Sequence, residues 1–359
     1  MARVRAYGHT RARVPLTCLV SLLCGACEEP EPGLAALPEL PFEVAREQLL
    51  VRSDIELCEG DFARWEGFVD WAEVYLDAEL PETLELYVWG AGGFDAVELC
   101  GFEASGCYRE SQGVVTSELL SVEHELVHVL TQGYTSRDSF FAEGLAEALS
   151  GRTQLGQYGP VFPVSGSLAV DYPSAGHFVR WLLELRGPAP LIAHMNSAGE
   201  VEDFEASYGE SLDEMSAAFF ATAPASYPAL HDHAVPGFTP EGEGRWSSEL
   251  DFSCAREDVR GTALGREVLR ELEIPSSGFY ALWSSAGRVR GRLKSSEADA
   301  SGAPGLVSGF VFPGAQIAAG PIEAGVYEIG VLATPGVEQG VVWVWESLSA
   351  APVIPGAAP

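Results

Sequence analysis

His124-Glu125-Leu126-Val127-His128 sets two imidazoles four residues apart, with a carboxylate next to the first. Four residues is a little over one helical turn, so on an α-helix both rings leave from one face and can meet a single cation. Zinc used for hydrolysis takes three protein ligands, keeps a fourth position for water, and needs a base for that water. The segment supplies two ligands, His124 and His128, and a base, Glu125. Leu126, Val127, Val129 and Leu130 are left to bury the helix. The alternative is a surface helix with two solvated histidines.

A third ligand must come from another element. Phe140-Phe141-Ala142-Glu143-Gly144-Leu145-Ala146-Glu147 reads as a second amphipathic helix, and fourteen residues separate His128 from Glu143. The loop from Thr131 to Ser139 is long enough to cross between the two. Together these segments resemble the gluzincin type of zinc metallopeptidase (peptidase MA clan), in which H-E-x-x-H is followed by a helix carrying E-G-x-A-E. The resemblance implies one zinc ion per chain, held by His124, His128 and Glu143, with Glu125 as general base. It implies further that Glu147, one turn beyond Glu143, orients a ligating histidine. Downstream, Tyr172-Pro-Ser-Ala-Gly-His-Phe-Val-Arg-Trp-Leu182 is similar to the Y-x-x-A-G-x-F-V-R-x-L segment of bacterial peptidases in this clan. By that similarity Tyr172 donates a hydrogen bond to the tetrahedral intermediate; otherwise it only packs at a helix start. His177, where a small residue is expected, lines the cleft, acts as an acid, or does neither.

The elements that must position these residues are readable in outline. Leu49 to Leu57 reads as a strand, Asp61 to Leu76 as a helix, Leu84 to Trp89 as a half-buried strand, and Gly113 to Thr116 as a short strand. Gly151 closes the second active-site helix, and Ser174 and Gly187 bound a third. Val201 to Met215 reads as two helical segments with a turn at Gly209. His231-Asp232-His233, beside Pro236 and Pro240, reads as a solvated loop rather than a metal cluster. From about Ser247 helical periodicity gives way to β-rich runs: 269–274, 278–283, 288–293, 309–312, 325–332 and 341–346. Ile274-Pro-Ser-Ser-Gly-Phe-Tyr280 and Ile322-Glu-Ala-Gly-Val-Tyr327 repeat a turn glycine followed by an aromatic strand. They resemble the pre-peptidase C-terminal β-sandwich of secreted bacterial proteases. The expected fold class is α+β: a zincin-like catalytic domain over 41–235, with a small mixed sheet, active-site helices and a helical subdomain. A linker over 236–247 and an all-β sandwich over 248–350 follow, with a tail over 351–359.

The N-terminus reads as an address. Arg3, Arg5, Arg11 and Arg13 precede an apolar run from Leu16 to Ala26, too short to span a bilayer stably. Leu23-Cys24-Gly25-Ala26-Cys27 resembles a bacterial lipobox, although Cys24 departs from its pattern. That resemblance implies lipidation at Cys27 after removal of a signal peptide over 1–27; plain secretion is the alternative. Residues 28–40 then form a flexible tether. Cys58, Cys100, Cys107 and Cys254 remain, an even number that suits an oxidising compartment. Cys100 with Cys107 is the obvious pair and leaves Cys58 for Cys254, although four cysteines allow three connectivities.

Charge narrows the partners. The chain carries 52 acidic against 21 basic side chains, a net charge of −31. Such a surface repels nucleic acid and anionic lipid, so contact with a membrane is expected only through a lipid anchor. The expectation is an exported peptidase, secreted or anchored at the outer membrane or cell surface, acting on peptides or proteins. The rival is a cell-surface binding protein that uses the sandwich and keeps a vestigial zincin scaffold; an intact Glu125 argues against it.

Overall fold

The computed structural model describes residues 36–81, 83–90, 93–134, 139–151, 171–197, 201–224, 227–295, 310–312, 318–322, 324–334 and 336–346. The expected signal peptide with Cys27, most of the tether and the tail lie outside the described residues. The chain is mixed α and β, and no described helix is long and apolar enough to cross a membrane.

The first part is built on a five-stranded sheet of order β1-β2-β3-β5-β4: β1 (Phe42–Ala45), β2 (Leu49–Ser53), β3 (Leu84–Trp89), β4 (Gly106–Arg109) and β5 (Val114–Glu118). The three inner strands run parallel, and β1 and β4 are antiparallel edges. β3 is buried along nearly its whole length, as its run Leu-Glu-Leu-Tyr-Val-Trp allows. Helix α1 (Glu59–Leu76) connects β2 to β3 and buries Phe62, Trp65, Phe68, Val69, Ala72 and Leu76. It starts two residues earlier than the sequence suggests. Asp61 is its third residue, and it accepts the Cys58 backbone N–H at 2.9 Å. Short helix α2 (Ala96–Cys100) precedes β4.

Below the sheet lie α3 (Val122–Leu130), α4 (Ser139–Leu149), α5 (Tyr172–Arg186), α6 (Pro188–Met195), α7 (Val201–Tyr208) and α8 (Leu212–Thr222). Gly209, with φ 76°, makes the expected turn between α7 and α8. Helix α3 has only nine residues, too few to persist on propensity alone. Val122, Leu126, Val127 and Val129 are fully buried. At roughly 1.5–3 kcal/mol for each such side chain, burial is what holds it.

The second part is two five-stranded antiparallel sheets, ordered β13-β10-β15-β7-β6 and β12-β11-β14-β9-β8. Their strands are β6 (Thr239–Gly242), β7 (Arg245–Asp251), β8 (Val259–Thr262), β9 (Gly265–Ile274), β10 (Gly278–Ser284), β11 (Gly287–Ser295), β12 (Phe310–Phe312), β13 (Ala318–Ile322), β14 (Gly325–Ala333) and β15 (Gln339–Glu346). Val268, Leu272, Tyr327 and Ile329 of one sheet meet Leu250, Tyr280, Leu282, Val342 and Val344 of the other in a single core. The segment expected as a linker over 236–247 is largely strand. β6 pairs antiparallel with β7, and Pro240 is tolerated because β6 is an edge.

The two parts are stitched together at α1 and β8. Cys58 and Cys254 form a disulfide there, and Cys100 and Cys107 form another, the pair that their spacing suggested. Asp61, with no solvent exposure, also accepts from the Gly261 backbone N–H at 2.7 Å and from Arg260 Nε at 3.3 Å. Arg64 on α1 grips Glu123 of α3 through two hydrogen bonds of 2.5 and 2.8 Å, one residue before His124.

Candidate metal centre

Helices α3 and α4 bring three donor atoms to one point. His124 Nε2 lies 3.1 Å from Glu143 Oε2 and 3.2 Å from His128 Nε2, and the last two atoms are 3.3 Å apart. Two imidazole nitrogens and a carboxylate oxygen this close leave lone pairs facing one another, an arrangement that only protons or a cation can bridge. Among the described residues this is the group able to hold a metal ion.

Burial opposes charging of His124, but the carboxylates of Glu143 and Glu147 outweigh it and push the ring up to about 9. Burial likewise works against the Glu143 carboxylate, yet His124 and His128 hold it down to about 2. An incoming cation must displace the His124 proton, so acid weakens its hold.

The flanking residues are placed by the same helices. Glu147, one turn after Glu143 on α4, sets Oε1 3.0 Å from His124 Nδ1, the ring nitrogen turned away from the trio. Gly144 lets α4 and α5 approach closely. A Cβ there would stand 2.6 Å from Val179 Cγ2 and 2.8 Å from the Ala175 carbonyl oxygen. That approach puts Tyr172, the first residue of α5, beside His124, with ring centroids 6.0 Å apart. Partial burial and then the carboxylates of Glu143, Glu125 and Glu147 push the Tyr172 phenol up to about 12, so it stays protonated at neutral pH. Glu125 is buried on α3, outside the donor trio, with its carboxylate against the backbone of β4.

These side chains line one open cleft of about 730 Å³, whose far wall is β4 and the disulfide-closed loop before it. Tyr108 of β4 donates to Gln132 Oε1 at 2.6 Å across one end. Neither β4 nor the Gly106 contact with Glu125 was expected from the sequence. A four-residue strand shows no usable alternation, and the contact joins segments with no pattern in common.

His177 is not in the cleft. Its Nε2 donates to the Pro224 carbonyl at 2.8 Å, and the ring sits edge-on to Phe219 and Tyr227. Burial holds its pKa below the usual histidine value despite that carbonyl. At neutral pH it is neutral in the folded chain, whereas in the unfolded chain it charges as pH falls through about 6.5. Its contribution is therefore present above about pH 6.5 and lost as pH falls below it. The His177→Phe variant should unfold with a weaker dependence on pH between about 7 and 5, as followed by urea midpoints. An unchanged slope would remove His177 from the acid sensitivity of the fold. His231 is likewise remote from the cleft, stacked on Trp71 with centroids 5.2 Å apart.

No family model matches the chain, and no curated protein does. Among solved structures, a GH26-CBM35 β-(1,4)-mannanase of Podospora anserina is similar at 14% identity and a TM-score of 0.15, over 30% of this chain and 29% of that one. A likeness at that score carries no argument about fold or activity.

Proposed function

We propose that the chain is a zinc-dependent peptidase of the gluzincin type, with a zincin-like catalytic part followed by a β-sandwich of the pre-peptidase C-terminal kind. In this reading it is exported, either free or anchored through Cys27. The observation that carries it is the convergence of His124 Nε2, His128 Nε2 and Glu143 Oε2 beside a separate buried carboxylate, Glu125, in one cleft. The separations of 3.1 to 3.3 Å would let all three donors hold one small divalent cation such as zinc.

A zinc ion held by His124, His128 and Glu143 would supply Lewis acidity for a carbonyl and for water. The remaining roles belong to the chain. Glu125 takes a proton from the attacking water and passes it to the leaving amine. Glu147 fixes the orientation of His124 through Nδ1. Tyr172, protonated at neutral pH, can donate to a developing oxyanion. The antiparallel edge strand β4 offers backbone groups with which an extended peptide can pair.

The purified protein should carry about one zinc per chain and cleave members of a mixed peptide library. A chelator should stop cleavage, and added zinc should restore it. No stoichiometric metal, or a metal-loaded protein that leaves the whole library intact, would sink this reading.

A further inference from the structure

We infer that Gly106 is a positioning residue for Glu125, and that the missing side chain at 106 is the space in which the carboxylate lies. The role in turnover rests on the peptidase reading above; the contact itself does not. A Cβ at 106 would stand 2.7 Å from both Cγ and Oε1 of Glu125 and 2.9 Å from Cδ. Those distances are inside van der Waals contact, so any other residue forces something to move. The backbone does not explain the glycine, because Gly106 is not among the residues with positive φ. Only the close approach of Glu125 does.

What would move is settled by how each partner is held. β4 is tied to β5 in register, Gly106 opposite Ser117 and Cys107 opposite Thr116. The next residue, Cys107, is bonded to Cys100, and the Thr116 hydroxyl sits 3.1 Å from its sulfur. The strand is therefore anchored by the ladder to β5 and by the disulfide. Glu125 has three rotatable side-chain bonds, and its carboxylate stands at the far end of them. An added methyl displaces the carboxylate, not the strand. The three atoms nearest such a Cβ all belong to Glu125 and none to the donor trio. Gly106 thus fixes where the proton acceptor stands relative to His124, His128 and Glu143.

The test is a double-mutant cycle of Gly106→Ala with Glu125→Ala, read by thermal unfolding and by steady-state kinetics on a peptide that the wild type cleaves. Gly106→Ala should keep wild-type metal content, lose about a hundredfold in kcat, and leave KM within about twofold, as expected for a reacting group displaced by around an ångström. Its Tm should fall in the wild-type background and recover when Glu125→Ala removes the clash. If Gly106→Ala fails to fold, the double variant decides: a folded double variant supports the inference, and an unfolded one overturns it. A kcat within about threefold of wild type, or the same Tm loss in both backgrounds, also overturns it. If no peptide is cleaved by the wild type, the peptidase reading fails, while the thermal cycle still reports on the contact.

Discussion

Glu125→Gln is expected to bind metal as the wild type does and to lose about a hundred- to ten-thousandfold in kcat, the usual span for removing a general base. That loss corresponds to roughly 3–5 kcal/mol of barrier. The two outcomes separate because Glu125 is not one of the three converging donors. Glutamine has the same length and branching, so it fits the space beside Gly106 that the carboxylate fills. What it lacks is a lone pair basic enough to take a proton at neutral pH. Metal analysis and steady-state kinetics on one preparation check both halves. Turnover within about threefold of wild type would take Glu125 out of the chemistry. Loss of the metal would instead make it a ligand.

The second large effect lies away from the cleft. Asp61→Ala should destabilise the fold by about 3–5 kcal/mol, because it strands a buried guanidinium. Asp61 is fully buried, and Arg260 beside it is nearly so. The substitution also leaves the backbone N–H groups of Cys58 and Gly261 without their acceptor. Replacing both charged residues together, as Asp61→Leu with Arg260→Met, should cost less than the single change, since no unpaired charge then remains inside. Urea unfolding of the three oxidised proteins measures the difference. A shift below about 1 kcal/mol for Asp61→Ala would mean that water reaches Arg260.

These two predictions draw on parts of the molecule that differ in how far the sequence reveals them. His124 and His128 are legible because helical periodicity stacks their rings on one face, whereas the roles of Glu143 and Glu147 are legible only through the resemblance of their segment to E-G-x-A-E. The Glu143 carboxylate lies within reach of both rings. Asp61 and Arg260 are 199 residues apart, and no local pattern links them. The second sheet part shows the same limit. Glu267 and Arg270 on β9 point to opposite faces of the strand and carry charge, yet both are buried, Glu267 with Arg290 and Arg270 with Asp258 and Ser248. Alternation marks which residues share a face but does not say whether another element covers it. β6 was missed for a related reason. Thr239-Pro-Glu-Gly has loop composition, and only pairing with β7 makes it a strand.

The bond between Cys58 and Cys254 encloses nearly everything that could do chemistry, since its ends are 196 residues apart. Closing so long a ring removes roughly 5 kcal/mol of freedom from the unfolded chain on a chain-entropy account. It also changes what a single cut does. A backbone nicked between those cysteines stays one covalent object, and its halves face each other at an effective concentration on the order of millimolar rather than drifting apart. Damage of that kind leaves a molecule that can close up again, until a reductant lets the pieces go.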